Sequence, residues 1–432
     1  MNVQFEEEPV ADNDHGAVRR YGARDVIADK NFRFLWAANG LFFGGQQIQL
    51  IATQWLTLTL TGSRTVLGLM TAIQGLAVLL ASPAGGILAE RTARRNLLML
   101  GRLGLFVVTI IMGALVGFGV AQIWHLALAA IATGIFVAFT QPATQTFLYD
   151  LVGRERLMPA IAVNTSASSF TGMLGPVAGG MMIASIGVAG AFYGSAVGYF
   201  VGIFLMGMIP ILGKTVGLEK ANIVSDLVEV FNYIKGSKIT LWLYGNSLVA
   251  FFGGMFFVMR PVYAREVLDV GAQGLGIMGL CFGMGSLVSV LLVTSIFNVK
   301  RKGMVLIIST IVWDVGMIGF AFSHSFPLTL AFEFMLGLVP PFWQSSIMTI
   351  LQTTAPDRIR NRVVSTHFMI FQAMFLGHFM AGALADAFGD KFPLVFAAIA
   401  RILVMLVMLV MAAPLKNYGR TDPMLDASGN NI

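Results

Sequence analysis

Twelve apolar runs, each long enough to cross a bilayer, dominate this sequence. A helix needs roughly 20 apolar residues to span about 30 Å of hydrocarbon. The runs 34–60, 66–88, 97–118, 123–149, 158–186, 189–212, 239–263, 275–297, 303–322, 327–352, 363–387 and 392–413 meet that length. They lack the strict alternation of barrel strands and are far longer than such strands. Soluble domains are about 45–50% apolar and about 25% charged, whereas this chain is 56% hydrophobic and 12% charged. Disorder is excluded as well, because it requires low hydrophobicity and high net charge. The expected fold class is an all-α membrane protein of twelve transmembrane helices, spanning a cell (inner) membrane.

Loop charges orient such a bundle, since Lys and Arg accumulate on the cytoplasmic side. With twelve spans and a cytoplasmic N-terminus, the cytoplasmic segments carry 23 of the 28 Lys and Arg residues. The outer segments carry Arg64, Arg260, Arg265 and Lys391, and Arg401 alone falls inside a span. Both termini are therefore expected in the cytoplasm. The net charge of +6 is spread over loops on one side of a lipid bilayer, so it does not form a nucleic-acid-binding face. The polar first 33 residues contain no apolar core of a secretory signal, and no cleavable signal is expected. A single cysteine, Cys281, excludes an intramolecular disulfide and multi-cysteine metal sites. No nucleotide-binding loop, zinc-protease motif or nucleophile elbow is present. Neither enzyme chemistry, a cofactor nor a metal is expected.

The segment 213–238 is the most polar between the first and last runs. Within it Ile223, Leu227, Phe231 and Ile234 recur at helical spacing opposite Asp226, Glu229 and Lys235. That pattern predicts an amphipathic helix on the inner surface. It divides the chain into a tail (1–33), an N-terminal bundle (34–212), the linker (213–238), a C-terminal bundle (239–413) and a second tail (414–432). The bundles echo each other. Leu67-Gly68-Leu69-Met70 matches Leu275-Gly276-Ile277-Met278, and Phe42-Phe43-Gly44-Gly45 matches Phe251-Phe252-Gly253-Gly254. Six spans per half make the repeat parallel, related by a pseudo-two-fold axis along the membrane normal.

Three further stretches carry a family resemblance. They are Gly86-Ile87-Leu88-Ala89-Glu90-Arg91-Thr92-Ala93-Arg94-Arg95, Pro142-Ala143-Thr144-Gln145 continuing through Leu151-Val152-Gly153-Arg154-Glu155-Arg156-Leu157, and Gly175-Pro176-Val177-Ala178-Gly179-Gly180. On these the chain resembles the major facilitator superfamily over about 31–414, and within it the bacterial twelve-span drug and siderophore exporters of the macrolide-efflux and enterobactin-exporter type. The first stretch is similar to the family's loop signature, with Glu90 in place of Asp and Ala93 in place of Gly. The resemblance implies a conformational latch formed by Gly86, Glu90, Arg91, Arg94 and Arg95. Ordinary positive-inside topology would also place these arginines there. The third stretch is similar to the antiporter core, in which Gly175, Pro176, Gly179 and Gly180 favour export. Close helix packing alone would use the same small residues.

The family's cavity lies between spans 1, 4, 7 and 10. In span 1, Asn39, Gln46, Gln49 and Thr53 share one helical face. Thr140, Gln141, Thr144 and Gln145 lie on span 4, and Trp343 and Gln344 on span 10. Such polar groups form either a cavity wall or an interhelical hydrogen-bond seam. Among ionisable residues, Asp314 and Arg401 are expected to form a buried ion pair between spans 9 and 12. Glu333 on span 10 has no evident basic partner and is the candidate proton carrier, with His378 of span 11 at similar depth. Span 4 carries Ala130 where the antiporter signature places an arginine. The expected function is secondary export of a small amphipathic substrate, with protons as the coupling ion and the protein as a monomer. The rivals are an uptake or facilitative carrier of the same fold, and a non-transporting receptor or scaffold with no cavity between its halves.

Overall fold

The computed structural model describes residues 22–213, 223–296, 302–356 and 358–411. Every regular element among them is helical. The tail 414–432, most of the first tail and part of the linker lie outside the described residues, as does the side chain of Glu90.

The helices are α1 (Ala23–Ile27), α2 (Lys30–Thr61), α3 (Arg64–Arg91), α4 (Arg94–Gly117), α5 (Ile123–Gly207), α6 (Ile223–Gly236), α7 (Lys238–Gly253), α8 (Met255–Val262), α9 (Gly271–Ile296), α10 (Lys302–Ala321), α11 (Phe326–Thr354), α12 (Arg360–Phe371), α13 (Met374–Phe388) and α14 (Phe392–Met411). Asp29 starts α2 by accepting the backbone N–H groups of Asn31 and Phe32, at 2.8 and 3.2 Å. Gly62, at φ 62°, ends it in the left-handed conformation that glycine reaches without steric cost. The long α5 is three rods, because Gly153 (φ 72°) and Gly187 (φ 77°) interrupt it. Both breaks fall where the sequence places loops. A tightened turn divides α12 from α13, where the N–H of Ala373 bonds the Ile370 carbonyl at 2.9 Å.

Ten segments among the described residues are long and apolar enough to cross a membrane. The run 34–60, carried by α2, is not one of them, because Asn39, Gln46, Gln47, Gln49 and Gln54 lower its hydropathy. Expected spans 5 and 6 fall within one 53-residue segment, Glu155–Gly207, that bends at Gly187. Large apolar side chains such as Leu80, Val197 and Val410 point outward, as the lipid-facing surface of a bundle requires.

The cores show how the two halves of the chain meet. At the end bearing Arg64, one continuous core joins both halves, from Ile51, Leu67 and Ile183 to Leu275, Met278 and Ala381. At the end bearing Arg94 there are two separate cores. One holds Leu35, Leu97, Phe147 and Met206, and the other Leu243, Leu306, Ile350 and Met405. The halves are therefore fused at one end and parted at the other.

The linker helix α6 matches its expected orientation at Ile234 and departs from it at Phe231, and the side chains of Ile223, Asp226 and Leu227 lie outside the described residues. Val230 and Ile234 are buried in the C-terminal core, while Phe231, expected on the apolar face, is exposed beneath Lys235. The helix is pinned by the Tyr233 hydroxyl, which donates to the Thr354 carbonyl at 2.8 Å, and by Glu229 pairing with Arg358 and Arg362.

Candidate functional site

A cavity of about 990 Å³ opens where the halves part. Gln46, Gln49 and Thr53 of α2 line it, with Gln74 of α3, Gln141 and Gln145 of α5, and Gln372 beside the break between α12 and α13. Seven glutamines and no ionisable residue face this space among the described residues. Phe368, Met369, Phe371 and Phe375 supply an apolar wall. Glutamine both donates and accepts hydrogen bonds without carrying charge. With the aromatic and methionine surface, the lining suits an amphipathic molecule rather than a bare ion.

Five of the ten residues expected at the cavity line it, and five do not. Asn39 is buried elsewhere, where its amide donates to Asn164 Oδ1 at 2.7 Å and its oxygen accepts from Arg102 Nη2 at 2.5 Å. Thr140 and Thr144 turn their hydroxyls back onto carbonyls of their own helix. Trp343 donates to Asn246 Oδ1 at 2.8 Å, and neither it nor Gln344 reaches this cavity. The place expected for span 10 is taken by α12 and α13, because the turn at Ala373 swings Phe371, Gln372 and Phe375 inward. Gln49 belongs to both categories. It faces the cavity and also accepts from the Tyr199 hydroxyl at 2.7 Å and donates to Thr133 at 3.1 Å.

Glu333 is fully buried, and its expected isolation is overturned. Arg260 Nε donates to Glu333 Oε1 at 2.8 Å. Arg260 was expected outside the membrane, yet it sits within α8 and packs over the rings of Phe256 and Phe282. Arg401 is consequently not alone within the spans, since Arg102 is also buried in α4. Asp314 and Arg401 lie together, with Arg401 Nε 2.9 Å from Asp314 Oδ1. His378 is buried where the halves touch, its backbone carbonyl close against Gly68 and its ring against Phe375.

The loop-signature arginines take partners inside their own half. Arg94 Nη1 donates to Asp150 at 2.5 Å, and Arg95 donates to the Ile209 carbonyl. Arg91 is exposed, and Gly86 lines the cavity. Asp150 lies inside the second motif stretch, where no sequence signal pairs it with Arg94. Of the third motif, Gly175 and Gly179 admit α2 through Gln47 and Ile48. Gly180 instead admits α9 of the other half, whose Gly276 lies against the Pro176 carbonyl. A Cβ at Gly276 would come within 2.9 Å of that oxygen and 3.1 Å of Val177 Cα. The echoed tetrapeptides thus both work as cross-half contacts, Gly68 against α13 and Gly276 against α5.

At the fused end, Arg64 of α3 reaches three carboxylates from the other half. Its Nε donates to Asp390 at 2.8 Å, and it also pairs with Glu266 and Asp386. Asp386 also caps α3 from across the interface. It accepts the backbone N–H groups of Arg64 and Thr65, at 3.1 and 2.8 Å, and the Ser63 hydroxyl at 2.8 Å. A side chain at Gly382 would collide with the Arg64 carbonyl. Each exposed ion pair is weak alone, but shared on one guanidinium and one helix end they close this face.

The sequence profile described as Major Facilitator Superfamily matches residues 35–377. The chain belongs to the major facilitator superfamily. It is a multi-pass membrane transporter, not an enzyme. It is similar to the staphyloferrin A transporter of Staphylococcus aureus, 23% identical over 362 residues that cover 83% of this chain and 90% of that protein. It is 24% identical over 398 residues to the enterobactin exporter EntS of Salmonella typhi, covering 88% and 90%. Likeness to the multidrug efflux pump Tap of Mycolicibacterium fortuitum is 26% over 365 residues, covering 80% and 87%. Among solved structures, the fold is shared with the nucleoside transporter NupG (TM-score 0.72, 14% identical, 88% and 99% covered). It is shared also with a D-xylose–proton symporter (TM-score 0.69, 13% identical, 93% and 99% covered).

Proposed function

We propose that this transporter exports a small amphipathic molecule, of the siderophore, drug-like or metabolite class, from the cytoplasm by alternating access. The observation that carries the reading is the single core at the Arg64 end beside the 990 Å³ cavity at the other. Halves that rock about one shared cavity need only exchange which end is closed. On this reading, counting α2 as a span and dividing the 53-residue segment at Gly187 gives twelve spans in two six-helix bundles. Loop charge puts the Arg94 end and both termini in the cytoplasm of an inner-membrane protein, so the conformation is inward-open. The cross-half cavity favours a carrier over a scaffold. Export rests on the likeness to the enterobactin exporter EntS and the multidrug efflux pump Tap and on the Gly175–Pro176–Gly180 core. One chain supplies both halves, so a monomer suffices for this cycle.

Protons supply the driving force, with Glu333 as their carrier. When Glu333 is charged it holds Arg260. When it is protonated the pair loses its electrostatic attraction, and the helix bearing Arg260 is free to move. The latch role of Glu90 and the arginines near it belongs to the opposite, outward-open state. Transport of a fluorescent amphipathic dye into inside-out vesicles, with the lumen made acidic, tests the direction. Accumulation that collapses with the gradient is expected, and accumulation confined to right-side-out vesicles would mean uptake.

A further inference from the structure

A second cavity, of about 430 Å³, lies across α2 from the first, and Gln47 and Leu50 form part of both walls. Its polar lining is Gln47, Gln54, Ser168, Ser169, Ser286 and Arg260. One permanent cation therefore faces a set of uncharged hydrogen-bonding groups, and no acid lines the space among the described residues. Glu333 is fully buried and outside the cavity wall, so it holds Arg260 from behind through Nε. The Nη2 group of Arg260 is buried, and no described residue accepts from it. A guanidinium whose fork is half used is a geometry for a further oxyanion, since Arg binds carboxylates through parallel N–H groups. The rings of Phe256 and Phe282 hold the guanidinium plane in place, with its carbon 5.7 and 5.4 Å from their centres. They also supply an apolar surface beside the charge.

We propose that Arg260 is an anion subsite that receives the carboxylate of an amphipathic organic acid, with Glu333 as the resident counter-ion. The inference rests on the cavity being a transport pathway, and it narrows the substrate class. The glutamine-lined cavity takes a neutral, hydrogen-bonding body, and the smaller cavity takes an acidic end. Glu333 and the ligand share one guanidinium, so each weakens the other's hold.

Equilibrium binding to the purified, full-length protein tests this independently of transport direction. The probes are octanoate and 4-phenylbutyrate, their methyl esters, and octyl phosphate, titrated calorimetrically. The wild-type protein should prefer each carboxylate over its ester by about tenfold, the scale of one charge-assisted hydrogen bond. Arg260→Gln should erase the preference, and Arg260→Lys should keep only part of it. Glu333→Gln should raise carboxylate affinity by about tenfold, because the competing counter-ion is gone. The double variant Arg260→Gln/Glu333→Gln leaves no buried charge alone, so it should fold and show no preference even where Arg260→Gln does not. Equal binding of acid and ester by the wild type would overturn the proposal. Arg260-dependent binding of octyl phosphate without binding of the carboxylates would also overturn it, and would assign the site to lipid headgroups.

Discussion

Glu333→Gln should abolish transport driven by a pH gradient, lowering it roughly hundredfold, while counterflow of substrate for substrate persists. A glutamine fixes the neutral state of this side chain, so the protein loses the difference between charged and protonated forms that links the gradient to movement. A ligand or proton shifts a conformational equilibrium only through its differential interaction with the two states. Arg260 faces a cavity, so losing its partner leaves it in contact with a polar space. The variant should therefore reach the membrane in normal amounts. The check is a pair of assays on the same proteoliposomes, gradient-driven flux and exchange at equal pH. Full gradient-driven flux in the variant would place the proton on another group or remove it from the mechanism.

Asp314→Asn and Arg401→Gln should fail in a different way, through folding. Asp314 is completely buried, Arg401 nearly so, and neither lines either cavity. Removing one partner strands the other charge in a low-dielectric interior, which costs about 3–5 kcal/mol. Each single variant should lose most of its yield and melt at a lower temperature. The double variant Asp314→Asn/Arg401→Gln should recover part of the loss, because it buries no lone charge. Gly253 adds a local reason for the recovery to be incomplete, since a Cβ there would strike the Arg401 guanidinium and the site is shaped for it. Additive losses would show that the two residues do not act as a pair. Together the two experiments separate a carboxylate that works from one that holds the bundle together.

Much of this was legible in the sequence because bilayers impose simple rules. Ten segments declare themselves by length and apolarity, and Gly153 and Gly187 break α5 where the loops were expected. The Asp314–Arg401 pair could be inferred because each residue lies deep within an apolar run, where a lone charge is costly. Arg260 was misplaced for the opposite reason. It lies near the end of the run 239–263, where an arginine ordinarily reaches water, but the helical segment continues to Val267 and Arg260 is turned onto Glu333. Arg102 was missed in the same way: it was counted with the cytoplasmic loop charges although it lies within the run 97–118, a position that is itself a signal of burial.

Glutamine and asparagine were harder to assign. Asn39 and Gln46 share a helical face by spacing, yet one closes a hydrogen-bond cluster with Arg102 and the other lines the cavity. Spacing gives the face of a helix but not the neighbour opposite it. The Arg64 cluster has no local signal at all, because its members come from loops and helix ends separated by more than 200 residues. The repeat carried more than its tetrapeptides indicated. Gly45 admits Tyr199 of α5 and Gly253 admits Arg401 of α14, so the contacts align these two glycines one residue away from the matched Phe-Phe-Gly-Gly runs.

In the proposed cycle the Arg64 face opens as the cavity at the other end closes. Spin labels at Thr61→Cys and Phe388→Cys, in a Cys281→Ser background, report the separation of the two halves at that face. Both positions are exposed, and they lie on opposite halves. Pulsed electron resonance on reconstituted protein should give a short distance as the resting population and a second, longer one that grows when Arg64→Gln removes the cross-half ion cluster. A single short distance that Arg64→Gln and acidification both leave unchanged would contradict the account, because the face would then be a fixed seam and not a gate.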